Sequence, residues 1–80
     1  ECVADDDFAA KVKERAAHLA NGPTKSYGLI KQALRVSLDN SLDEQLDTEA
    51  TLQGQAGKTR DFLEGVMAFM EKRLPKYEGR

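Results

Sequence analysis

Hydrophobic residues in this chain recur at helical spacing in four segments, separated by short breaks that contain glycine, asparagine, serine or proline. Because successive helical residues turn by about 100°, positions three, four and seven apart share one face. The first helix is predicted over 6–20, and Asn21-Gly22 ends it because both residues tolerate the left-handed conformation of a helix cap. Its predicted inward face carries Phe8, Val12, Ala16 and Leu19. The whole pattern predicts an all-α chain of three to four amphipathic helices.

Turn and capping residues mark the next two helices. Pro23 fits the first position of a second helix, where its missing N–H costs nothing, and the apolar pattern continues to about Leu38. Apolar residues cover more than half of this helix's circumference, so we expect it to be the most buried element, in contact with both neighbours. Ser41 and Glu44 form a capping box that begins a third helix, and Gly57 ends it.

Residues 61–80 carry the widest apolar face of the chain. Thr59 is a suitable N-cap for a fourth helix, which we expect to end near Leu74 because Pro75 cannot continue it. Two adjacent apolar stripes are predicted. The first carries Phe62, Val66 and Phe69, and the second carries Leu63, Met67, Met70 and Leu74. The opposite face carries Asp61, Glu64, Ala68 and Glu71. We expect an apolar face this wide to need two packing partners.

Two residues of this last segment do not fit a simple amphipathic pattern. Glycine inside a helix costs about 1 kcal/mol relative to alanine. Gly65 is therefore either a tolerated imperfection or a point where another backbone or a ligand approaches closely. Arg73 falls near the middle of the apolar face, so it must leave the helix end or pair with a carboxylate on a neighbour.

The chain is short for an independently stable domain. With 80 residues it buries only about 60–65% of the surface of its unfolded state, and such a core contributes roughly 3–5 kcal/mol. The single cysteine, Cys2, cannot form an internal disulfide. The start Glu1–Ala4 has no initiator methionine and precedes an acidic run, as a strand leading into a helix does. We expect the C-terminal piece of a larger protein, with a processed 80-residue protein as the alternative.

Charge and hydropathy exclude two classes of partner. Twelve basic and 14 acidic residues give a net charge of −2, whereas a general nucleic-acid binder would show a dominant basic surface. No apolar run approaches the roughly 20 residues that cross a bilayer, so we expect no membrane span. A single unpaired cysteine fits a reducing compartment, and we predict a cytoplasmic protein.

Few side chains are placed for catalysis, and we predict neither a catalytic residue nor a metal site within the chain. His18 has no nucleophile or carboxylate at helical spacing, and Cys2 has no histidine or helix N-terminus to activate it. The run Asp5–Asp7 lacks the spacing of a calcium loop and is explained by the helix dipole. The third helix carries an acidic cluster expected to face water or a basic neighbour, with a paired acid–base role as the alternative: Asp43, Glu44, Asp47 and Glu49.

The basic end of the last helix offers the one candidate binding site. Four cations gather there around Phe69 and Tyr77: Lys72, Arg73, Lys76 and Arg80. The helix dipole favours cations at a C-terminus, and their stems cover apolar surface, which would explain them without a ligand. An aromatic ring beside an ammonium group can also hold a flat, phosphate-bearing group. Phe69 and Lys72 are the candidate pair for that role.

Several motifs, in the same order along the chain, resemble the crotonase (enoyl-CoA hydratase/isomerase) superfamily. The stretch 22–31 is similar to its GPT-x-x-x-GLIK helix start, and 41–50 resembles the helix that follows. The stretch 59–73 resembles its closing motif T-x-D-F-x-E-G-V-x-A-F-x-E-K-R, and 75–80 its P-x-F-x-G-R tail, with Tyr77 in place of the usual phenylalanine. The third helix and the Gly-Arg ending look most like the ring-epoxide isomerase of phenylacetate degradation and its hydratase relatives.

The resemblance implies the C-terminal helical segment of a larger α/β spiral fold, whose core carries the oxyanion hole and the proton-transferring carboxylates. It implies an enzyme that acts on acyl-CoA thioesters through an enolate-like oxyanion, by hydration or isomerisation. Residues 1–80 would form a domain that makes trimer or hexamer contacts and caps the CoA site. Phe69 and Lys72 would lie near the adenine and ribose phosphate, and no cofactor is implied beyond the CoA thioester substrate. The alternative is a free-standing helical interaction module that binds no CoA.

Overall fold

The computed structural model describes all of residues 1–80 as four α-helices with no strand. The helices are α1 (Asp5–Ala20), α2 (Thr24–Val36), α3 (Leu42–Ala56) and α4 (Arg60–Met70), joined by short turns. The prediction of an all-α chain is confirmed, and the bounds of the first and third helices agree with it within one residue. Residues 1–4 precede α1 without forming a strand.

Local capping accounts for the starts of α3 and α4. The Ser41 hydroxyl accepts a hydrogen bond from the Glu44 N–H at 3.2 Å, and the Ser41 N–H donates to the Glu44 carboxylate at 2.8 Å. The Thr59 hydroxyl accepts from the Phe62 N–H at 3.1 Å and donates to the Ala56 carbonyl at 2.7 Å. Both predicted caps are confirmed, and the Thr59 side chain joins the end of α3 to the start of α4.

The expectations for α2 are partly wrong. Pro23 is the N-cap rather than the first helical residue, and the helix ends at Val36, two residues before Leu38. No residue of α2 is buried: Ile30 is 55% exposed and Leu34 is 64% exposed. The helix packs mainly on α3, where the Gln45 side chain donates to the Ala33 carbonyl at 3.3 Å. The apolar pattern of α2 predicts how much of its surface should be buried, but it does not show that residues of this chain bury it.

Helix α4 ends at Met70, four residues earlier than expected. The Arg73 N–H donates to the Ala68 carbonyl at 3.0 Å and the Lys72 N–H to the Phe69 carbonyl at 3.3 Å, which is the Schellman arrangement of a helix end. Lys72 takes the left-handed position of that turn, with φ 56°. Leu74 therefore lies outside the helix and does not extend its apolar stripe. Pro75 marks only the last position before which α4 had to end.

Residues 71–80, which we call the tail, run back along α4 and cover the face that the sequence pattern predicted to be exposed. Asp61 is 3% exposed and Ala68 is 1% exposed, so the expectation that they face outward is wrong. The apolar side of the helix is open instead, since Phe62, Leu63 and Phe69 are 46%, 59% and 85% exposed. The tail thus occupies the polar face of α4, and the apolar face stays largely exposed.

The four helices enclose very little core. Leu52 and Ala68 are the two buried hydrophobic residues, and large apolar side chains are exposed on all four helices. The radius of gyration is 16.0 Å, within a flat outline of 46 × 37 × 18 Å, whereas a compact domain of this length has a radius near 12 Å. Exposed apolar surfaces of this size are typical of interaction sites. None of the helices combines the length and the apolar character needed to cross a membrane.

Candidate functional site

The predicted pair Phe69 and Lys72 lies at the end of α4. Phe69 is in the last turn of the helix and 85% exposed, and Lys72 is exposed in the turn that follows. The expectation that the helix continues through Lys72 to Leu74 is wrong. The Lys72 N–H donates to the Phe69 carbonyl at 3.3 Å, and the chain turns into the left-handed conformation at Lys72 itself. An aromatic ring and a cation are therefore both accessible at one corner of the molecule.

An open cleft of about 420 Å³ lies next to this corner, between α4, the tail and the start of α2. Its lining consists of Pro23, Ser26, Asp61, Phe62, Gly65, Val66, Phe69 and Tyr77. Its volume falls within the roughly 300–1,000 Å³ that small-molecule sites occupy. The lining includes two aromatic residues, Phe69 and Tyr77, and aromatic rings pack favourably against planar groups.

Asp61 fixes the last three residues of the tail to the first turn of α4. One carboxylate oxygen accepts the Glu78 N–H and the other accepts the Gly79 N–H, each at 2.8 Å. The Asp61 N–H donates to the Arg80 carbonyl, also at 2.8 Å. From the sequence, Asp61 was placed only on the polar face of the last helix, and this role was missed because its partners are 17 to 19 residues away.

Glu64 holds the other end of the tail. Its carboxylate pairs with the Arg73 guanidinium at 2.6 and 3.1 Å and accepts the Lys76 N–H at 2.7 Å. The Arg73 hydrogen bonds, followed by that from the Lys76 N–H, lower the pKa of Glu64 to about 2. Glu64 and then Glu71 raise the pKa of Arg73. Arg73 thus leaves the helix, as one of the two alternatives expected, and the carboxylates that it pairs with lie on its own segment rather than on a neighbour.

Two glycines show how closely the tail packs. A β-carbon on Gly65 would lie 3.4 Å from the Tyr77 hydroxyl, so a tail side chain approaches this helix position. Gly79 has φ 78°, in the left-handed region, and a β-carbon there would lie 2.7 Å from the Thr24 hydroxyl. The tail is therefore fixed between α4 and the first residue of α2. Gly79 was the one sequence signal that could have indicated this contact.

The remaining candidate residues do not converge. His18 and Cys2 are exposed, and no three histidine, cysteine, aspartate or glutamate side chains come together as metal ligands. The acidic residues of α3 are exposed; Glu44 serves the capping box, and Glu49 accepts from Gln45 at 3.1 Å.

Comparison with known proteins assigns the family. The family model described as enoyl-CoA hydratase/isomerase matches residues 1–80, the whole chain. The chain belongs to the enoyl-CoA hydratase/isomerase family. The resemblance read from the motifs of α2, α3, α4 and the tail is thereby confirmed at the level of the family.

Individual members of the enoyl-CoA hydratase/isomerase family are similar over the full length of the chain. A probable enoyl-CoA hydratase of Rhodobacter capsulatus is 49% identical over 80 residues, which are all of this chain and 31% of that protein. The 1,2-epoxyphenylacetyl-CoA isomerase of Escherichia coli is 44% identical, over all of this chain and 30% of that protein. A crystal structure of an enoyl-CoA hydratase from Geobacillus kaustophilus superposes with a TM-score of 0.86 at 31% identity, covering 94% of this chain and 28% of that one.

The chain therefore spans about 30% of the length of the curated relatives that it matches. The match to a probable hydratase and to a ring-epoxide isomerase agrees with the group that the α3 and tail motifs indicated. The expectation that these residues form the C-terminal end of a longer protein stays a prediction, as do the cytoplasmic location, the oligomeric state and the roles of Phe69 and Lys72.

Proposed function

We propose that this chain is part of a longer enzyme of the hydratase/isomerase type that acts on acyl-CoA thioesters. In this proposal the chain supplies one side of the CoA site and surfaces for subunit contacts, while the groups that carry out the chemistry lie elsewhere in the protein. The observation that carries the proposal is the exposed Phe69–Lys72 corner beside an open cleft, in a chain whose whole length matches the family.

The chemistry of the corner suits the nucleotide end of coenzyme A. Adenine is a flat π system that stacks on an exposed ring such as Phe69, and a ribose phosphate is an anion that a lysine ammonium binds as a point charge. Arg73 and Arg80 lie close in the sequence, but they form ion pairs with Glu64 and Glu78 at 2.6 and 2.7 Å. Lys72 makes no ion pair within the chain, so its charge is available to a phosphate.

The thioester end of the substrate would be activated by other residues of the longer protein. Backbone N–H groups aimed at the thioester oxygen stabilise an enolate-like oxyanion, and carboxylates move the proton or water. No pair of acidic side chains in residues 1–80 is arranged for that step, so we expect the isolated chain to be inert. Hydration of crotonyl-CoA by this polypeptide alone would contradict the proposal.

The exposed apolar helix faces support an assembly role. Phe62, Val66 and Met67 on α4 are 42–46% exposed, and Ile30 and Leu34 on α2 are 55% and 64% exposed. Surfaces of this kind become covered by the rest of a longer chain or by other subunits, and we propose contacts within a trimer or hexamer. The alternative of a free-standing interaction module is disfavoured, because the family model matches the chain from its first residue to its last.

The test compares two substrates in the full-length protein: an acyl-CoA thioester and the same acyl group on pantetheine, which lacks the nucleotide. A hydrogen bond to a charged group contributes about 1.5–3 kcal/mol, and the lower value corresponds to roughly tenfold in affinity. We expect Lys72→Ala and Phe69→Ala to raise KM about tenfold for the CoA thioester, with kcat and both constants for the pantetheine thioester unchanged.

The matched control is Lys58→Ala, which removes an exposed lysine at the opposite end of α4 and should leave both substrates unaffected. Equal KM values for Lys72→Ala and the unmodified protein with the CoA thioester would refute the proposed role of the corner. A loss of the same size with both substrates would show that the substitution acts on the fold rather than on the nucleotide.

A further inference from the structure

Lys72 holds a backbone conformation that lysine rarely adopts. Its φ of 56° is the single positive value among the non-glycine residues. At this position of a helix end glycine is the usual residue, because a β-carbon clashes with the following carbonyl there. Such a residue persists only when its surroundings fix it, and residues held in this way cluster at ligand-binding and switch sites. The contacts on either side of Lys72 therefore hold the backbone turn from which its side chain extends.

Glu64 supplies contacts on the far side of that turn. It pairs through both carboxylate oxygens with Arg73, the residue immediately after Lys72, and accepts the Lys76 N–H at 2.7 Å. Glu64 is in the middle of α4, so it connects the turn to the rigid part of the helix. On the near side, the turn is closed by the hydrogen bond from the Arg73 N–H to the Ala68 carbonyl, at 3.0 Å.

We propose that Glu64 is a positioning residue for Lys72: by binding Arg73 and the Lys76 backbone, it holds the left-handed turn that presents the lysine to the phosphate of coenzyme A. This inference rests on the proposed function, because it assigns a reason for the geometry of the same corner. It also assigns Arg73 to the structure rather than to the ligand, since the guanidinium fork is occupied by Glu64 and Glu71. The corner therefore presents lysine as its phosphate-binding cation.

The test is a double-mutant cycle in the full-length protein with Glu64→Ala, Lys72→Ala and the two together. KM and kcat are measured for the acyl-CoA thioester and for the matching pantetheine thioester. We expect Glu64→Ala to raise KM for the CoA thioester about fivefold with kcat and the pantetheine constants unchanged. The double variant should then be no worse than Lys72→Ala, because Glu64 acts through the lysine.

Glu71→Gln is the matched control, because it removes the other carboxylate that contacts Arg73 and leaves the Glu64 contacts in place. It should behave like the unmodified protein. Where Glu64→Ala fails to fold, Glu64→Gln provides the same comparison, since it keeps the side-chain shape and loses the charge that pairs with Arg73. Trypsin cleavage after Lys72 gives an independent readout, and the Glu64 variants should be cut at least tenfold faster there.

Three outcomes overturn the inference about Glu64. The first is a CoA-thioester KM that Glu64→Ala and Glu64→Gln leave unchanged. The second is additive losses in the double variant, and the third is an equal loss with the pantetheine thioester. A Lys72→Ala variant with no CoA-specific effect is a different result, since it removes the proposed function itself. A fivefold rise in KM that is specific to the CoA thioester and not additive with Lys72→Ala supports both the proposed function and the role of Glu64.

Discussion

Replacing Lys72 with glycine should give a protein that is more stable than the Lys72→Ala variant and, like that variant, binds CoA thioesters more weakly. A non-glycine residue in the left-handed conformation costs roughly 1–2 kcal/mol, and Lys72 occupies that conformation with φ 56°. Glycine removes this cost but adds roughly 0.5–1 kcal/mol of freedom to the unfolded chain. The net gain is about 0.5–1 kcal/mol relative to Lys72→Ala, which keeps the backbone cost and removes the same amine.

The measurement is thermal unfolding of the full-length protein as Lys72→Gly and Lys72→Ala, alongside KM for the acyl-CoA thioester. For a domain of roughly 250 residues, 1 kcal/mol corresponds to about 2–4 °C in Tm, so glycine should raise Tm by about 1–4 °C over alanine. Both variants should lose the same affinity for CoA, because neither carries the ammonium group.

Lys58 provides the matched control for this pair of substitutions. It lies in the turn before α4 and its φ is not positive, so Lys58→Gly should be no more stable than Lys58→Ala. A Lys72→Gly protein that unfolds at or below the Tm of Lys72→Ala would refute the reasoning, because the turn would then hold no strain for glycine to relieve. If the Tm of Lys58→Gly were also higher than that of Lys58→Ala, the gain at Lys72 would be a general effect of glycine and not a relief of strain.

Two further predictions concern the tail. Gly79→Ala should destabilise the protein by about 1–2 kcal/mol, because Gly79 has φ 78° and a β-carbon there would lie 2.7 Å from the Thr24 hydroxyl. Urea unfolding measures this, and full recovery in the Thr24→Ala background would contradict the backbone contribution. The second prediction concerns acid. Arg73 and the Lys76 N–H lower the folded-state pKa of Glu64 from 4.5 to about 2. The stabilisation of the folded state by the Glu64 carboxylate is therefore present above about pH 4.5 and is lost as the pH falls towards 2. The difference in urea midpoint between the unmodified protein and Glu64→Gln should shrink across that window in low salt, and a constant difference would argue against the ion pair.

Residues that act on their immediate neighbours were predictable from the sequence. Ser41 and Glu44 exchange hydrogen bonds between the side chain of each and the backbone N–H of the other, and the Thr59 hydroxyl accepts from the N–H three residues further on. The end of α4 was not predictable in the same way. The left-handed position there is occupied by Lys72 instead of the glycine or asparagine that signals such a turn, so the pattern extended the helix by four residues.

The candidate pair was found for a partly wrong reason. Both residues were expected on one helix that continues to Leu74, whereas Phe69 lies in the last turn of α4 and Lys72 in the left-handed turn that ends it. The residues that hold this turn and the tail, Glu64 and Asp61, were read as a solvated polar face. Their partners lie 9 to 19 residues further along the chain, and helical periodicity carries no information about contacts at that distance.

By itself the sequence determined the helical character of the chain, the N-caps of α3 and α4 and the family, because these depend on short-range spacing and on motifs read in order. Only the tertiary structure decided which face of α4 is covered. Periodicity shows that two sides of a helix differ, but the side that is buried depends on what packs there. Here the tail satisfies its backbone N–H groups on the carboxylates of Asp61 and Glu64, so the polar face is covered and the apolar face stays open.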